Sequence, residues 1–141
     1  MAKNSQGIVA YWTTTTVAVA TAASNVIGEV VGFNGPGMSA NVIDVSSLQS
    51  TAKEKMIGLY DAGQMQLSVN CMVTDGGQTL LRECMVARTK GILMLQLSTA
   101  ATTQKLTMEG YVNGLSITGA VDQKLAAEIT ILISGGCAFT T

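Results

Sequence analysis

Catalysis needs an activated nucleophile, a proton carrier or a set of metal ligands, and this chain holds few residues able to supply them. It has no histidine, and its three cysteines are Cys71, Cys84 and Cys137. Without an imidazole the commonest base for a thiol proton is missing, and no cysteine pair has CxxC spacing, so neither a cysteine nucleophile nor a structural zinc site is indicated. An odd number of cysteines gives no disulfide framework. Cys71 and Cys84 also fall on apolar faces described below, where a thiol is inert. Carboxylates such as Glu109 and Asp122 remain, but no motif pairs either with the partner that acid–base work requires. The expectation is a protein that is not an enzyme, with no cofactor and no metal.

If the chain does no chemistry, its elements must carry the function. With 141 residues, 48% hydrophobic and only 12% charged, it can bury enough apolar surface to order one domain. Aromatic residues are 4%, so Val, Ile, Leu, Met and Ala must fill the core, which suits sheet-rich packing. Eight basic and nine acidic residues give a net charge of −1 with no block of like charge, which argues against tight nucleic-acid binding. The apolar stretches 17–23 and 126–133 contain Thr or Glu and fall short of the roughly 20 residues that span a bilayer. Lys3 precedes a segment holding Thr13, Thr14, Thr15 and Thr16, unlike a signal peptide, so cytoplasmic synthesis is expected.

The fold predicted is mainly β: an antiparallel sandwich or barrel-like domain with one flanking helix. Met65, Leu67, Val69, Cys71 and Val73 alternate with Gln64, Gln66, Ser68 and Asn70, the period of a strand with one buried and one wet face. Leu106, Met108 and Val112 alternate with Lys105, Thr107, Glu109 and Tyr111 in the same way; then Asn113-Gly114 reads as a hairpin turn into a strand carrying Leu115, Ile117 and Val121. A β-branched strand follows over 125–134, with Leu125, Ala127, Ile129, Ile131 and Ile133 on one face. Segments 26–33 and 38–46 read as strands around the turn Asn34-Gly35-Pro36-Gly37, and 8–12 and 91–97 as two more. A helix is predicted over about 76–89, most regular from 79 to 90, capped by Asp75 with Gln78 reaching back in a capping box, facing the sheet through Leu80, Leu81 and Cys84 and ending at Gly91. Between 46 and 63 no period is sustained, which predicts a long loop with a helical turn near 52–56.

In chain order, Gly28-Glu29-Val30, Gly35-Pro36, Ile43-Asp44-Val45-Ser46-Ser47, Glu54-Lys55, Gly58-Leu59 and Asp61-Ala62-Gly63 resemble the major tail tube proteins of long-tailed bacteriophages with non-contractile, siphovirus-type tails. Leu106-Thr107-Met108-Glu109-Gly110-Tyr111-Val112 and the closing Glu128-Ile129-Thr130 and Ile133-Ser134-Gly135 resemble that family's late strands, so the likeness spans about 28–136. It implies a structural virion protein of the phage tail whose hexameric rings stack into a tube, the conduit for DNA ejection. The partners implied are further copies of the chain, the tape measure, tail terminator and distal tail proteins, and double-stranded DNA in passage without tight binding. Many relatives carry an added immunoglobulin-like domain; here a single tail-tube domain over 1–141 is expected, without that C-terminal addition.

The resemblance also assigns surfaces. Gln64, Gln66, Ser68 and Asn70 become candidates for the lumen lining, although the same polar face fits the solvated outside of a domain. The segment 46–63 becomes the ring-stacking loop, with Lys53, Glu54 and Lys55 available for polar contacts. Asp44 and Asp61 match the family pattern, and turn chemistry, an Asp accepting nearby backbone amides, accounts for both. A tube of a contractile tail or type VI secretion-like machine shares the architecture. A small-ligand-binding β-barrel with Met-rich walls is a further alternative, disfavoured by the scarcity of aromatic residues.

Overall fold

A computed structural model of the chain describes residues 8–14, 26–97 and 104–140. Lys3, Thr15, Thr16 and the apolar stretch 17–23 of the sequence analysis lie outside the described residues. Among the described residues ten elements follow one another: β1 (Val9–Thr13), β2 (Val26–Ile27), β3 (Val30–Asn34), β4 (Ser39–Asp44), β5 (Lys55–Asp61), β6 (Gln64–Asn70), α1 (Gly76–Ala87), β7 (Gly91–Gln96), β8 (Lys105–Thr118) and β9 (Ala126–Thr140). The mainly-β architecture with one helix is as predicted.

Seven strands form one antiparallel sheet in the order β2-β1-β7-β8-β9-β6-β3, and β4 and β5 pair separately. The two edge strands of the large sheet, β2 and β3, are joined by Gly28-Glu29 alone. Three Cα steps of about 3.8 Å bring those edges within about 11 Å of each other. The sheet must therefore roll up until its ends nearly meet, although among the described residues no ladder of hydrogen bonds closes it into a barrel.

The inside of the roll is the core. Leu93, Leu95, Leu106, Met108, Met65, Leu67, Val69, Ile129, Ile131 and Ile133 are buried there, those of β6, β8 and β9 in the alternating phase read from their strands. Leu81 and Cys84 of α1 join the same cluster, and the Trp12 indole N–H donates to Cys84 Sγ at 3.3 Å. The continuous apolar run of β7 is explained by burial on both faces: Leu93 and Leu95 point into the cluster, while Met94, 1% exposed, points the other way.

Several expectations are corrected. Asn113-Gly114 is no hairpin turn: β8 runs through it, and a register shift between Val112 and Gly114 marks a bulge. The change of phase from Val112 to Leu115 is common to both devices, since a bulge also adds a residue to the count. The real turn lies at 119–125, where Asp122 takes φ 60° and Gln123 N–H donates to the Ala120 carbonyl at 3.2 Å. Consequently Ile117 and Val121 are exposed, not core. Leu125 is exposed as well, just ahead of β9, which continues past the expected end at 134 through Ser134-Gly135-Gly136 to Thr140. The predicted strand over 26–33 is two strands broken at Gly28-Glu29, and that over 64–73 stops at Asn70, leaving Val73 exposed.

Asp75 does cap α1, its carboxylate accepting the Gln78 backbone N–H at 3.0 Å and the Gly28 N–H at 3.1 Å. Gln78, however, does not reach back in a capping box. Its side chain is turned inward at 3% exposure: Nε2 donates to the carbonyls of Gly28 and Asn70, both at 2.9 Å, and Oε1 accepts the Met72 N–H at 2.9 Å. One amide thus ties the β2–β3 link, the end of β6 and the start of the helix together, at the place where the roll nearly closes. The helix ends at Ala87, with Arg88 in the left-handed conformation at φ 58°, earlier than Gly91, which opens β7.

Candidate functional site: an apolar arm beside a polar sheet face

The segment 46–63 is not a loop throughout. Its second part is β5, which pairs with β4 from Asp44↔Lys55 to Ser39↔Asp61, and no helical turn forms near 52–56 because Lys55 and Met56 already belong to the strand. Since β3 and β6 also pair, the β4–β5 ribbon extends their ladder away from the domain after a break at 35–38 and 62–63. The predicted turn at 34–37 is this break. The expected period was lost because Gly58 and Leu59 face the single residue Asn41 in a bulge.

The ribbon carries apolar side chains on both faces. In register, Val42 and Ile57 share one face with Ala40 and Tyr60, and Ile43 and Met56 share the other. All are exposed, Ile57 at 76%, and Leu59 is 96% exposed. Such a two-stranded ribbon is marginal by itself in water.

Its tip is held by its own polar groups. Asp44 Oδ1 accepts the Ser46 N–H at 2.9 Å, Glu54 N–H donates to Ser46 Oγ at 2.7 Å, Val45 N–H donates to the Glu54 carbonyl at 3.0 Å, and Ser47 N–H donates to Ser50 Oγ at 3.0 Å. The Ser46 amide and hydroxyl hold the Asp44 carboxyl below its usual range. A depressed carboxylate stabilises the tip above its ordinary pKa, and that contribution is lost as pH falls through the folded-state value. With these groups satisfied, Leu48 projects from the tip, fully exposed. Lys53, Glu54 and Lys55 are exposed where the tip enters β5.

At its root the arm is fixed. Gly63 takes φ 72°, donates its N–H to Asp61 Oδ1 at 2.9 Å and accepts the Ile133 N–H at 3.1 Å; a side chain there would meet the Gly37 carbonyl. The Tyr60 hydroxyl lies over Gly136 so closely that any side chain at 136 would displace it. The turn roles expected of Asp44 and Asp61 are thus both present.

Next to the arm, the outward face of β6 carries Gln64 and Gln66, exposed, and Ser68 and Asn70, half-buried. They stand opposite Leu132, Thr130, Glu128 and Ala126 of β9. Asn70 is occupied locally, its amide donating to Glu29 Oε2 at 3.2 Å while its own Oδ1 is buried without a partner. Glu128 is the only charged residue in β6 or β9. The β6 side of this strip is neutral and polar, and the β9 side adds one negative charge, Glu128, and no cation.

The residues weighed for catalysis are scattered. Cys84 is buried under Trp12, burial pushes the Cys137 thiol up, Glu109 is held by Lys90 at 2.9 Å, and Asp122 sits exposed in a turn. Among the described residues no group of three or more His, Cys, Asp or Glu side chains could hold a metal ion, and no helix is long and apolar enough to cross a membrane.

No family model matches the sequence, and no curated protein does either. Solved structures do. A chain from the sheath/tube terminator of the extracellular contractile injection system PVC aligns with TM-score 0.75 at 9% identity, over 100% of this chain and 98% of that one. A chain of the native gene transfer agent virion gives 0.74 at 12% identity, over 99% and 100%. The SPP1 tail tube gives 0.66 at 7% identity, over 94% and 75%. The fold is the tail-tube fold. These neighbours include a contractile system, and the fold by itself does not separate tail types.

What sequence reasoning missed is the arm as an apolar element. Its available signal was the pair of short runs Met56-Ile57 and Leu59-Tyr60 on either side of Gly58.

Proposed function

We propose that the chain is the structural subunit of a phage tail tube, of the long, non-contractile type: hexameric rings, each chain one tail-tube domain, stacked into the conduit through which DNA is ejected. The observation that carries this reading is the β4–β5 arm, a ribbon with exposed apolar side chains on both faces that finds no cover among the described residues. Such a surface belongs to an assembly. In this reading the arm stacks one ring on the next, with Lys53, Glu54 and Lys55 adding polar contacts at its tip, and Gln64, Gln66 and Ser68 line the lumen. A polar strip that carries no cation lets DNA phosphates slide without gripping them. The subunit works in the virion, beside tape measure, terminator and distal tail proteins.

A second reading, a ring of a contractile machine, is favoured by the likeness to the PVC terminator chain. Both readings rest on self-assembly through the arm. The double variant Ile57→Lys, Leu59→Lys is expected to keep the circular dichroism and melting behaviour of the parent, because both side chains are exposed, and to lose assembly in sedimentation velocity. Full assembly by this variant would overturn the proposal.

A further inference from the structure

We infer that Tyr60 and Gly136 form a latch within the chain that sets the direction in which the arm leaves the domain before any other chain is met. The arm joins the domain through two short links, Gly35-Pro36-Gly37-Met38 and Ala62-Gly63. At the second link the Gly63 carbonyl accepts the Ile133 N–H at 3.1 Å, and Ala62 is buried. An attachment at the link is a pivot, and a second attachment removed from it fixes an angle. The Tyr60 hydroxyl lying over Gly136 is that second attachment.

The sheet is shaped to receive the ring. Continued past Gln64↔Leu132, the β6–β9 register would set Tyr60 opposite Gly136, but the ladder stops, because Ser134, Gly135 and Gly136 together stand against the single residue Glu109 of β8 and swell out of line. The Tyr60 side chain makes the contact where the backbone bonds end. Gly135 takes φ 92°, which accounts for its glycine, whereas Gly136 has no positive φ. What glycine supplies at 136 is room. Apart from the chain neighbours, the atoms that a Cβ there would meet within 4 Å are Tyr60 Oη, which it would displace, and Tyr60 Cζ at 3.4 Å, an ordinary contact. The clash is thus with the hydroxyl alone. A groove of about 310 Å³ beside the ring, lined by Met38, Ser39, Ala40 and Tyr60, is open to take it when displaced, so a side chain at 136 releases the arm and leaves the core untouched. The use of the latch rests on the proposal that the arm is an assembly surface: an arm that already points one way loses less freedom when a ring is built.

Single-molecule energy transfer reads the arm's direction in full-length chains too dilute to assemble, between dyes carried on noncanonical amino acids at Leu48 of the tip and Val86 of α1, both exposed. The six residues of β4 span about 20 Å, so a swing of about 30° moves the tip by about 10 Å. The parent is expected to give one narrow distance distribution, Gly136→Ala a broad or displaced one, and Gly136→Ala combined with Tyr60→Phe a narrow one again, since without the hydroxyl only the ordinary contact is left. A broad distribution in the parent, no change in Gly136→Ala, or no recovery in the double variant overturns the latch. Unlabelled chains test its use by sedimentation velocity. If the released arm points correctly about one tenth of the time, Gly136→Ala raises the concentration needed for assembly about tenfold, and adding Tyr60→Phe lowers it again. A released arm with an unchanged threshold overturns the role of the latch in assembly. If the parent forms no assembly at any concentration, the proposed function falls, and the latch is judged on the energy-transfer distances alone.

Discussion

Val69→Asp is expected to leave the chain unfolded, whereas Gln66→Asp keeps it native. Val69 is 1% exposed, next to the last residue of β6, between Val30 of β3 and Ala127 of β9, with Met65 and Leu67 on the same face. An unpaired carboxylate placed there costs several kcal/mol, a large share of the roughly 5–15 kcal/mol that stabilises a domain. Gln66 points outward and stands opposite Thr130, so its replacement adds only a solvated charge. Ser68→Asp lies between the two: Ser68 is half-buried and opposite Glu128, and like charges facing each other across a ladder are expected to cost about 0.2–1 kcal/mol. Chemical denaturation followed by circular dichroism ranks the three variants. A native Val69→Asp beside an unfolded Gln66→Asp would reverse the facing of this strand and remove the proposed lumen residues.

Gln78→Leu is expected to destabilise the fold by about 3–6 kcal/mol, although leucine matches the size of glutamine and suits a helix better. The reason is the backbone it abandons. The carbonyls of Gly28 and Asn70 and the amide of Met72 all lose their bond to the Gln78 side chain. The two carbonyls, left unpaired in partly buried places, cost about 1–3 kcal/mol apiece, and the amide of Met72, an exposed residue, adds less. Gln78→Glu separates this from a packing effect, because a carboxylate keeps the shape of glutamine but cannot donate to the two carbonyls and brings a charge to a buried place. It should be destabilised at least as much as Gln78→Leu in urea midpoint at neutral pH. If Gln78→Leu is as stable as the parent, this amide does not hold the closure of the roll.

Much of the β content was legible because alternation reports directly on burial. Met65, Leu67 and Val69 in β6, Leu106 and Met108 in β8, and Ile129, Ile131 and Ile133 in β9 all lie in the core in the phase their spacing predicts. Local capping was legible too, since Asp75 needs only the next few residues to do its work. Readings failed where a residue's role depends on distant partners. Gln78 has the spacing of a capping box, but the carbonyl of Gly28, 50 residues away, captures its amide. Asn113-Gly114 has the composition of a hairpin turn, yet β9 is long enough to pair on both sides of it, so the chain bulges instead of turning. The arm failed for another reason: its apolar side chains face no core of this chain, and a bulge at Gly58-Leu59 breaks the only period that would have marked the strand. An element whose side chains are not packed into its own core leaves little pattern in its own sequence.

The most direct test of the central claim is electron microscopy of the purified chain, concentrated at neutral pH. Tail-tube function predicts hollow tubes or stacked rings with six-fold symmetry in projection, a central channel free of protein and the β4–β5 arm crossing from each ring to the next. A chain that stays monomeric at high concentration, or that assembles with its arm free in solvent, would contradict it.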